Sequence, residues 1–391
     1  MRQGATGSTA TPRARQAILP LGVLSAALAL LAGLTWGGRA VQGAEPRPLY
    51  RVLTAQLPHP VKRVLALTCP GLAPADLVDY PQRPGTPEPS HAAPPLRTVL
   101  VLDEQGHASR VRLQGGALLL EPLETCQVPE RRERPELIPG GGVSPGTGYI
   151  AEAWLAAPTL RYRHGALGTV LTAGELQAAN RQGDILRLRL PDDAVFEDRW
   201  ARVVVVNGQD AVLVVRTGLA TGAALALYGL DRPAADAGAL VQLAQSDPLG
   251  KPDLWLNPIG AGDFDGSGRT AIAAVLTPHQ DGTLALYRRE GAKLVERQRA
   301  RGFSNHELYS AELGMAAVVD ANGDGIPDLA VPDATRRALR IVTFAGGRFR
   351  ELQRIPHDSE IVSAIVAQDL GGGHSSLVYA LQDGTVVLAA R

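Results

Sequence analysis

Asp320-Ala-Asn-Gly-Asp-Gly-Ile-Pro-Asp328 places side-chain oxygens at positions 1, 3, 5 and 9 of one short loop: Asp320, Asn322, Asp324 and Asp328. Gly325 at position 6 permits a sharp turn, and the Ile326 carbonyl at position 7 offers a further oxygen. Calcium takes roughly six to eight oxygen ligands at about 2.3–2.6 Å, and this alternation wraps a loop around such an ion. Position 12 is Val331 rather than a bidentate Glu, and the flanks 316–319 and 329–331 read as strands, so a helical calcium loop is disfavoured. Asp, Asn and Gly also build metal-free hairpin turns through Asx turns and left-handed glycines. A turn alone does not need four oxygens at this spacing, so calcium is the expectation at 320–328.

About one period earlier, Gly260-Ala-Gly-Asp-Phe-Asp-Gly-Ser-Gly268 aligns Asp263, Asp265 and Ser267 with Asp320, Asn322 and Asp324. Its ninth position is Ala271, so one carboxylate is missing and weaker calcium binding is expected. Asp369-Leu-Gly-Gly-Gly373 keeps one acid and reads as metal-free, and Val205-Val-Asn-Gly-Gln-Asp210 is an eroded echo. If calcium is bound, it acts as a loop staple rather than a catalyst.

Other chemistry finds little local support. Eight histidines are scattered, and none forms His-Glu-x-x-His or another close metal pair. His164 in Arg161-Tyr-Arg-His164 is the most clustered; it could line a channel, although a hydrogen-bonded strand-edge histidine is the simpler reading. Gly142-Val-Ser-Pro-Gly146 satisfies G-x-S-x-G, but a nucleophile elbow requires a strand before it and a helix after it. Here glycines precede the serine and Pro145 follows it. Gly260-Ala-Gly262 is not a complete dinucleotide fingerprint and opens no helix. The tryptophans beyond the amino-terminal segment are Trp154, Trp200 and Trp255, too few for a quinone-dependent propeller that repeats Trp in its blades.

The elements that must position these loops read as strands. Beyond residue 45, runs of β-formers recur at Val64–Thr68, Thr98–Asp103, Ile185–Leu190, Arg202–Val206, Val212–Arg216, Ala271–Leu276, Thr283–Arg288, Leu339–Phe344, Ile361–Val366 and Thr385–Ala389. Gly, Asp, Asn or Pro punctuate the gaps, which is the spacing of an all-β protein. Pro- and Gly-rich stretches near 71–97 and 127–148 read as long surface loops. Self-similarity marks the second half. Leu225-Ala-Leu-Tyr228 recurs as Leu284-Ala-Leu-Tyr287 and aligns with Leu339-Arg-Ile-Val342. Asp281-Gly-Thr283 recurs as Asp383-Gly-Thr385, and Glu296-Arg-Gln298 is echoed by Glu351-Leu-Gln353. A period of about 50–60 residues with three to four strands per unit predicts a β-propeller of six or seven four-stranded blades. Such a ring must cover the edge left by carboxyl-terminal strands at 361–366, 376–380 and 385–389. An early strand near Leu49–Ala55 is expected to supply the missing outer strand.

With those loops and strands in view, the chain resembles the FG-GAP/VCBS repeat family, the calcium-loop β-propellers related to the integrin α-subunit head. GAGDFDGSG and DANGDGIPDLAV are similar to that family's signature, over roughly residues 200–391. The segment 158–168, PTLRYRHGALG, looks like the opening strand of another such blade. The resemblance implies a calcium-binding propeller over 45–391, secreted or surface-exposed, that acts by binding rather than chemistry.

Composition bounds the compartment and partners. The chain has 391 residues, with 43 Gly, 29 Pro and 45% apolar residues, ample for a core. Basic and acidic residues balance at 39 each, but residues 1–43 hold four Arg and no acid. The remainder is mildly acidic and shows no basic face for nucleic acid. Residues 17–38 carry no charge and follow Arg13 and Arg15, the order of an export signal. The segment 1–44 is therefore a cleaved signal or a retained single-span anchor at 17–38, and either places the rest outside the cytoplasm, in the periplasm or secreted. In that compartment Cys69 and Cys126 form a disulfide or remain two buried thiols. The expected function is that of a calcium-binding scaffold in the envelope, meeting an envelope or extracellular protein or glycan. A propeller enzyme acting on carbohydrate or another extracellular polymer is the alternative, and an assembly factor for an envelope complex is a third.

Overall fold

The computed structural model describes residues 48–67, 98–123, 134, 136–231, 238–371 and 374–391. The expected signal or anchor, the 71–97 loop, both cysteines and residues 127–133 lie outside the described residues. Among those described, the protein is all-β: strands, turns and one short 3-10 turn at Ala345–Gly347. No helix there is long and apolar enough to cross a membrane.

In chain order the strands are β1 (Arg51–Gln56), β2 (Val61–Leu67), β3 (Thr98–Asp103), β4 (Ala108–Gln114), β5 (Ala117–Pro122), β6 (Ser144–Pro145), β7 (Ile150–Thr159), β8 (Thr172–Asn180) and β9 (Ile185–Arg189). Next come β10 (Ala194–Phe196), β11 (Arg202–Val206), β12 (Gln209–Gly218), β13 (Gly222–Leu230), β14 (Leu240–Gln245), β15 (Leu256–Gly262), β16 (Ala271–Leu276), β17 (Thr283–Glu290) and β18 (Lys293–Arg301). The last are β19 (Ala317–Val319), β20 (Asp328–Pro332), β21 (Ala338–Thr343), β22 (Arg350–Pro356), β23 (Val366–Gly371), β24 (His374–Ala380) and β25 (Thr385–Ala390).

Three sheets have four strands, in the orders β2-β3-β4-β5, β19-β20-β21-β22 and β1-β25-β24-β23. A fourth, curled sheet has 13 strands, but single residue pairs join its parts: Gln245 to Lys293 between β14 and β18, and Phe196 to Ala173 between β10 and β8. It thus resolves into β6–β9, β10–β14 and β15–β18, all antiparallel, with β10 and β11 pairing successive stretches of β12 in the middle group. Strand composition follows position. The middle strands β13 and β16 are buried at every residue and read as continuous apolar runs. The outer strands β9 and β18 alternate, with Arg187, Arg189, Arg297 and Arg299 on the solvated side. Charge along an outer edge discourages pairing with a foreign strand.

The aligned segments occupy equivalent strands. Leu225–Tyr228 lies on β13, Leu284–Tyr287 on β17 and Leu339–Val342 on β21. Each pairs with the strand before it, as Val212 with Tyr228, Ile272 with Tyr287 and Leu329 with Val342. Each also carries a register shift against the strand after it, at Leu227/Tyr228, Leu286/Tyr287 and Ile341/Val342. A bulge inserts a residue and sharpens the local twist, so the repeated segment sets the same bend in three consecutive units.

Core clusters sit between consecutive sheets. Ala273 and Leu284 share one with Leu329 and Val342; Leu339 and Ile355 share another with Leu377 and Val387. Val64 and Val111 pack against Val378 and Leu388, which links the first sheet to the last. The expected outer strand is present: β1 pairs antiparallel with β25 over Arg51–Gln56. Two expectations are corrected. Ile361 makes only an isolated bridge to Leu381, and regular pairing begins at Val366. Between them the Ser363 hydroxyl accepts the Ala380 amide, and the Ile365 amide turns away to the Gly314 carbonyl. Residues 160–168 are loop, because β7 ends at Thr159 and Arg161 is drawn to Asp192.

Candidate functional site

The two acidic loops are equivalent turns. One joins β19 to β20 and the other β15 to β16, each following the first strand of its sheet. They touch: a Cβ on Gly266 would lie 2.7 Å from Ile326 Cδ1. The eroded echo at 205–210 is the β11–β12 hairpin, with Asn207 and Gly208 at φ 51° and 78°. Its Asn207 exchanges hydrogen bonds with Thr270, both at 3.2 Å, so these three turns line up at one end of their sheets.

In the 320–328 loop the oxygens are held by amides. Asp320 Oδ1 accepts from Gly323 N at 2.7 Å and Asp324 N at 3.2 Å, and Oδ2 from Gly325 N at 2.9 Å. Asn322 Oδ1 accepts the Asp324 amide, and Asp324 Oδ1 accepts the Ile326 amide. Asp328 is fully buried; its Oδ2 accepts from Ala321 N at 3.2 Å, and its Oδ1 has no hydrogen-bond partner among the described residues. Burial, aided by the charges of Asp324 and Asp320, pushes the Asp328 carboxyl up to about 6. Among the described residues no three His, Cys, Asp or Glu side chains converge on one point. The donor set is all oxygen, the loop carboxylates retain lone pairs, and buried Asp328 Oδ1 has no hydrogen-bond partner among the described residues; these features fit a hard cation.

The 263–267 loop already has a cation of its own. Asp263 accepts from Ser267 N at 3.0 Å and Gly268 N at 2.7 Å. The Arg288 guanidinium, reaching from β17, bonds both Asp265 Oδ2 and Ser267 Oγ. Burial lifts the Asp265 carboxyl, but the Ser267 hydrogen bonds and the Arg288 charge outweigh it and hold it low. Two of the three expected ligands there are committed to Arg288. In the copy at 369–373, residues 372–373 lie outside the described residues.

The 320–328 loop is also where the two ends of the fold meet. The Tyr50 hydroxyl shares a 2.7 Å hydrogen bond with Ser375 Oγ, which reaches the Asp320 carbonyl at 3.3 Å. Arg391 Nη1 donates to the Ala321 carbonyl at 3.0 Å and lies over Gly323, whose φ is +75°.

The opposite ends of the sheets carry a second polar group. His164 Nδ1 lies 2.7 Å from Oε1 of buried Glu197, and Thr217 Oγ1 donates to Oε2 at 2.8 Å. The Glu197 bond raises the His164 pKa, and burial raises that of Glu197. Trp255 Nε1 donates to the Glu197 carbonyl at 2.9 Å, and its ring stacks on His279. His279 Nε2 lies 2.7 Å from His306 Nδ1, and His306 Nε2 lies 3.1 Å from the Ser310 carbonyl. Burial drives His279 down to about 4 and His306 to about 3. Asp253, Thr277, Tyr309 and Arg336, all in turns of this end, have positive φ. Of these groups only His164 was singled out by the sequence. Glu197, His279 and His306 come from turns far apart in the chain and carry no local signal.

One cavity of about 340 Å³ draws on every sheet. It is lined by Arg63 of β2, Ser144 of β6, Arg202 of β11, Pro258 of β15, Ala316 before β19 and Ala364 before β23. Among the described residues Arg63, Arg202 and Glu312 are its charged groups, and Glu312 is its one carboxylate. The fold thus defines an all-β protein of three four-stranded sheets and one curled sheet, with residues from each sheet or from the segment just before it lining a common cavity. No protein-family model and no curated protein sequence matches the chain.

Proposed function

We propose that residues 47–391 form a six-bladed β-propeller of the calcium-loop type, a non-enzymatic binding scaffold outside the cytoplasm, in the cell envelope or beyond it. The observation that carries this reading is the cavity lined by residues at or beside an early strand of each of the six strand groups. The β1–β25 pairing supports a closed ring, since it covers the edge that a ring must hide. Among the described residues a single carboxylate lines the cavity, held by its own loop, which favours binding over hydrolysis of a polymer, a reaction that calls on two carboxyls flanking the scissile bond. The His164–Glu197 pair is the one observation on the side of the enzyme reading. It is spent on orienting buried groups: both Glu197 oxygens are bonded, and its carbonyl holds Trp255.

In this reading Asp320, Asn322, Asp324, Asp328 and the Ile326 carbonyl take one calcium ion, and the ion fixes the loop between Tyr50, Ser375 and Arg391. Asp263, Asp265 and Ser267 take none while Arg288 stands among them. Calorimetric titration of calcium into the protein is expected to give one site, lost in Asp324→Ala. Arg288→Ser is expected to raise the stoichiometry to two, because it releases Asp265 and Ser267. No heat in the unaltered protein sinks the calcium assignment.

The scaffold role is tested by affinity capture from the native envelope. A partner retained by the protein and released by chelator or by Asp324→Ala supports it. Turnover of extracellular glycans with no retained partner would transfer the assignment to the enzyme alternative.

A further inference from the structure

Arg63 owes its place at the cavity to a bulge. The register of β2 against β3 shifts between Val61 and Arg63, where Val61 faces Asp103 and Arg63 faces Leu102. A bulge of this kind re-aims the side chain that follows it, and Arg63, Val64 and Leu65 all reach the cavity. β15 repeats the device: its register shifts between Pro258 and Gly260, and Pro258 and Ile259 both line the cavity.

The charges around the cavity are unequally spent. Arg202 is neutralised by Asp198, with Nη1 at 2.8 Å from Oδ2, and Nη1 also meets the Trp200 carbonyl at 3.2 Å. Asp198 in turn takes the amides of Arg199, Trp200 and Val215, so this pair is closed. Glu312 is spent on its own loop: Oε1 accepts the Gly314 amide at 2.7 Å, and the amides of Leu313 and Ala364 also serve its carboxylate. Arg63 feels Glu312 only as a charge, and it makes no hydrogen bond or ion pair among the described residues. One guanidinium fork therefore faces the space with its donors unused. Arginine's planar fork matches a carboxylate with two parallel hydrogen bonds.

Apart from Ser144 the rest of the wall is apolar, with Leu65, Ile259 and Leu313 alongside Trp200. A volume of about 340 Å³ lies at the small end of ligand cavities, which run from about 300 to 1,000 Å³. From the unspent fork, the apolar wall and the size, we infer that this cavity binds a small organic carboxylate, its carboxylate on Arg63 and its apolar body against Leu65, Ile259 and Leu313. The inference deepens the binding role proposed above by naming a ligand class for the cavity, and it needs neither the calcium ion nor the macromolecular partner.

Benzoate and its neutral isostere benzamide are the probes, titrated into the full chain by ligand-observed NMR at low salt. Benzoate is expected to bind with a Kd of about 1 mM or tighter, at least roughly tenfold better than benzamide. Arg63→Gln is expected to remove that preference, and Arg63→Lys to restore part of it, since the charge returns without the fork. Ala316→Phe, which fills the cavity without touching a charge, is expected to abolish binding of both probes. Far-ultraviolet circular dichroism and melting of each variant establish that it is folded. Equal affinity for the two probes, no binding of benzoate, or benzoate binding unchanged by Arg63→Gln overturns the inference. Inorganic phosphate binding as tightly as benzoate also overturns it, because the apolar wall would then add nothing. A protein partner captured through the calcium-dependent route with no benzoate binding would leave the scaffold reading standing and remove only this one.

Discussion

Deleting residues 45–56 is expected to lower the melting temperature by about 10 °C or more. β1 lies at the end of the β1-β25-β24-β23 sheet, paired with β25 from Arg51 opposite Ala390 to Gln56 opposite Thr385. Tyr50, just before it, is 1% exposed; its amide donates to Gln353 Oε1 at 2.7 Å, and Gln353 Nε2 donates back to its carbonyl at 3.1 Å. Leu53 and Ala55 pack on the cluster that joins the first and last sheets. Loss of a buried tyrosine costs roughly 3 kcal/mol. The strand ladder and the exposed β25 edge add to that, for roughly 5–8 kcal/mol in all. At this size each kcal/mol corresponds to about 2 °C. The measurement is a melt followed by circular dichroism, with Tyr50→Ala as an intermediate case. A deletion variant that melts within about 2 °C of the parent would show that β1 is an ornament on the sheet rather than its closure.

The same strand shows what kind of information a sequence carries. Thr98–Asp103, Arg202–Val206 and Ala271–Leu276 are strands with the expected bounds, because β-branched runs between Gly, Asp and Asn leave the backbone few alternatives. The partner of β25 was also foreseeable, from the rule that a sheet edge is covered rather than left open. Ile361–Val366 has the same composition but is not a regular strand. Its amides at Ile361, Val362 and Ile365 go instead to the carbonyls of Arg336, Ala380 and Gly314, none of which local pattern can indicate. Tertiary competition of this sort overrides propensity.

The candidate sites divide along the same line. The turn at 320–328 is legible because its oxygens lie within nine residues, and Asp320 folds the loop by accepting its own later amides. Arg288 is invisible beforehand: it stands 23 residues from Asp265 and is one of many arginines, and only the pairing of β16 with β17 brings it over the loop. Glu197, Asp198 and Arg199 are three consecutive charged residues, and all three are buried. Each finds its partner through the fold, Glu197 in His164 at a separation of 33 residues, Asp198 in Arg202, and Arg199 in the carbonyls of Pro139 and Leu167. A buried charge survives only when its partners are in place. Such groups therefore report on assembled topology rather than on local sequence.

Acid is expected to weaken this fold through His279 and His306. Both sit beside Trp255, near Arg336 and, for His279, near His164, and both are kept neutral by burial, at about 4 and about 3. An unfolded histidine titrates near ~6.5, so below that pH the unfolded chain takes up protons that the folded chain refuses. Stability therefore falls as pH drops from ~6.5 toward the folded values. His164 acts in the opposite sense: its raised pKa, set by Glu197, contributes stability that is fully present below ~6.5 and is lost as pH rises through the folded value. The two depressed imidazoles outweigh it. Allowing for their coupling and for the partial exposure of His279, the expected net loss between pH 7 and pH 4.5 is roughly 3 kcal/mol. Carboxylates such as Asp103 and Asp333, whose pKa values lie low in the fold, lose stability in acid as well, which makes a reference variant necessary. His279→Gln with His306→Gln supplies one, since a side-chain amide in place of His306 retains a donor for the Ser310 carbonyl and carries no proton to refuse. Urea midpoints at the two pH values should separate by clearly less in the double variant than in the parent. Equal separations would place the acid sensitivity in the carboxylates and leave the histidine pair as packing.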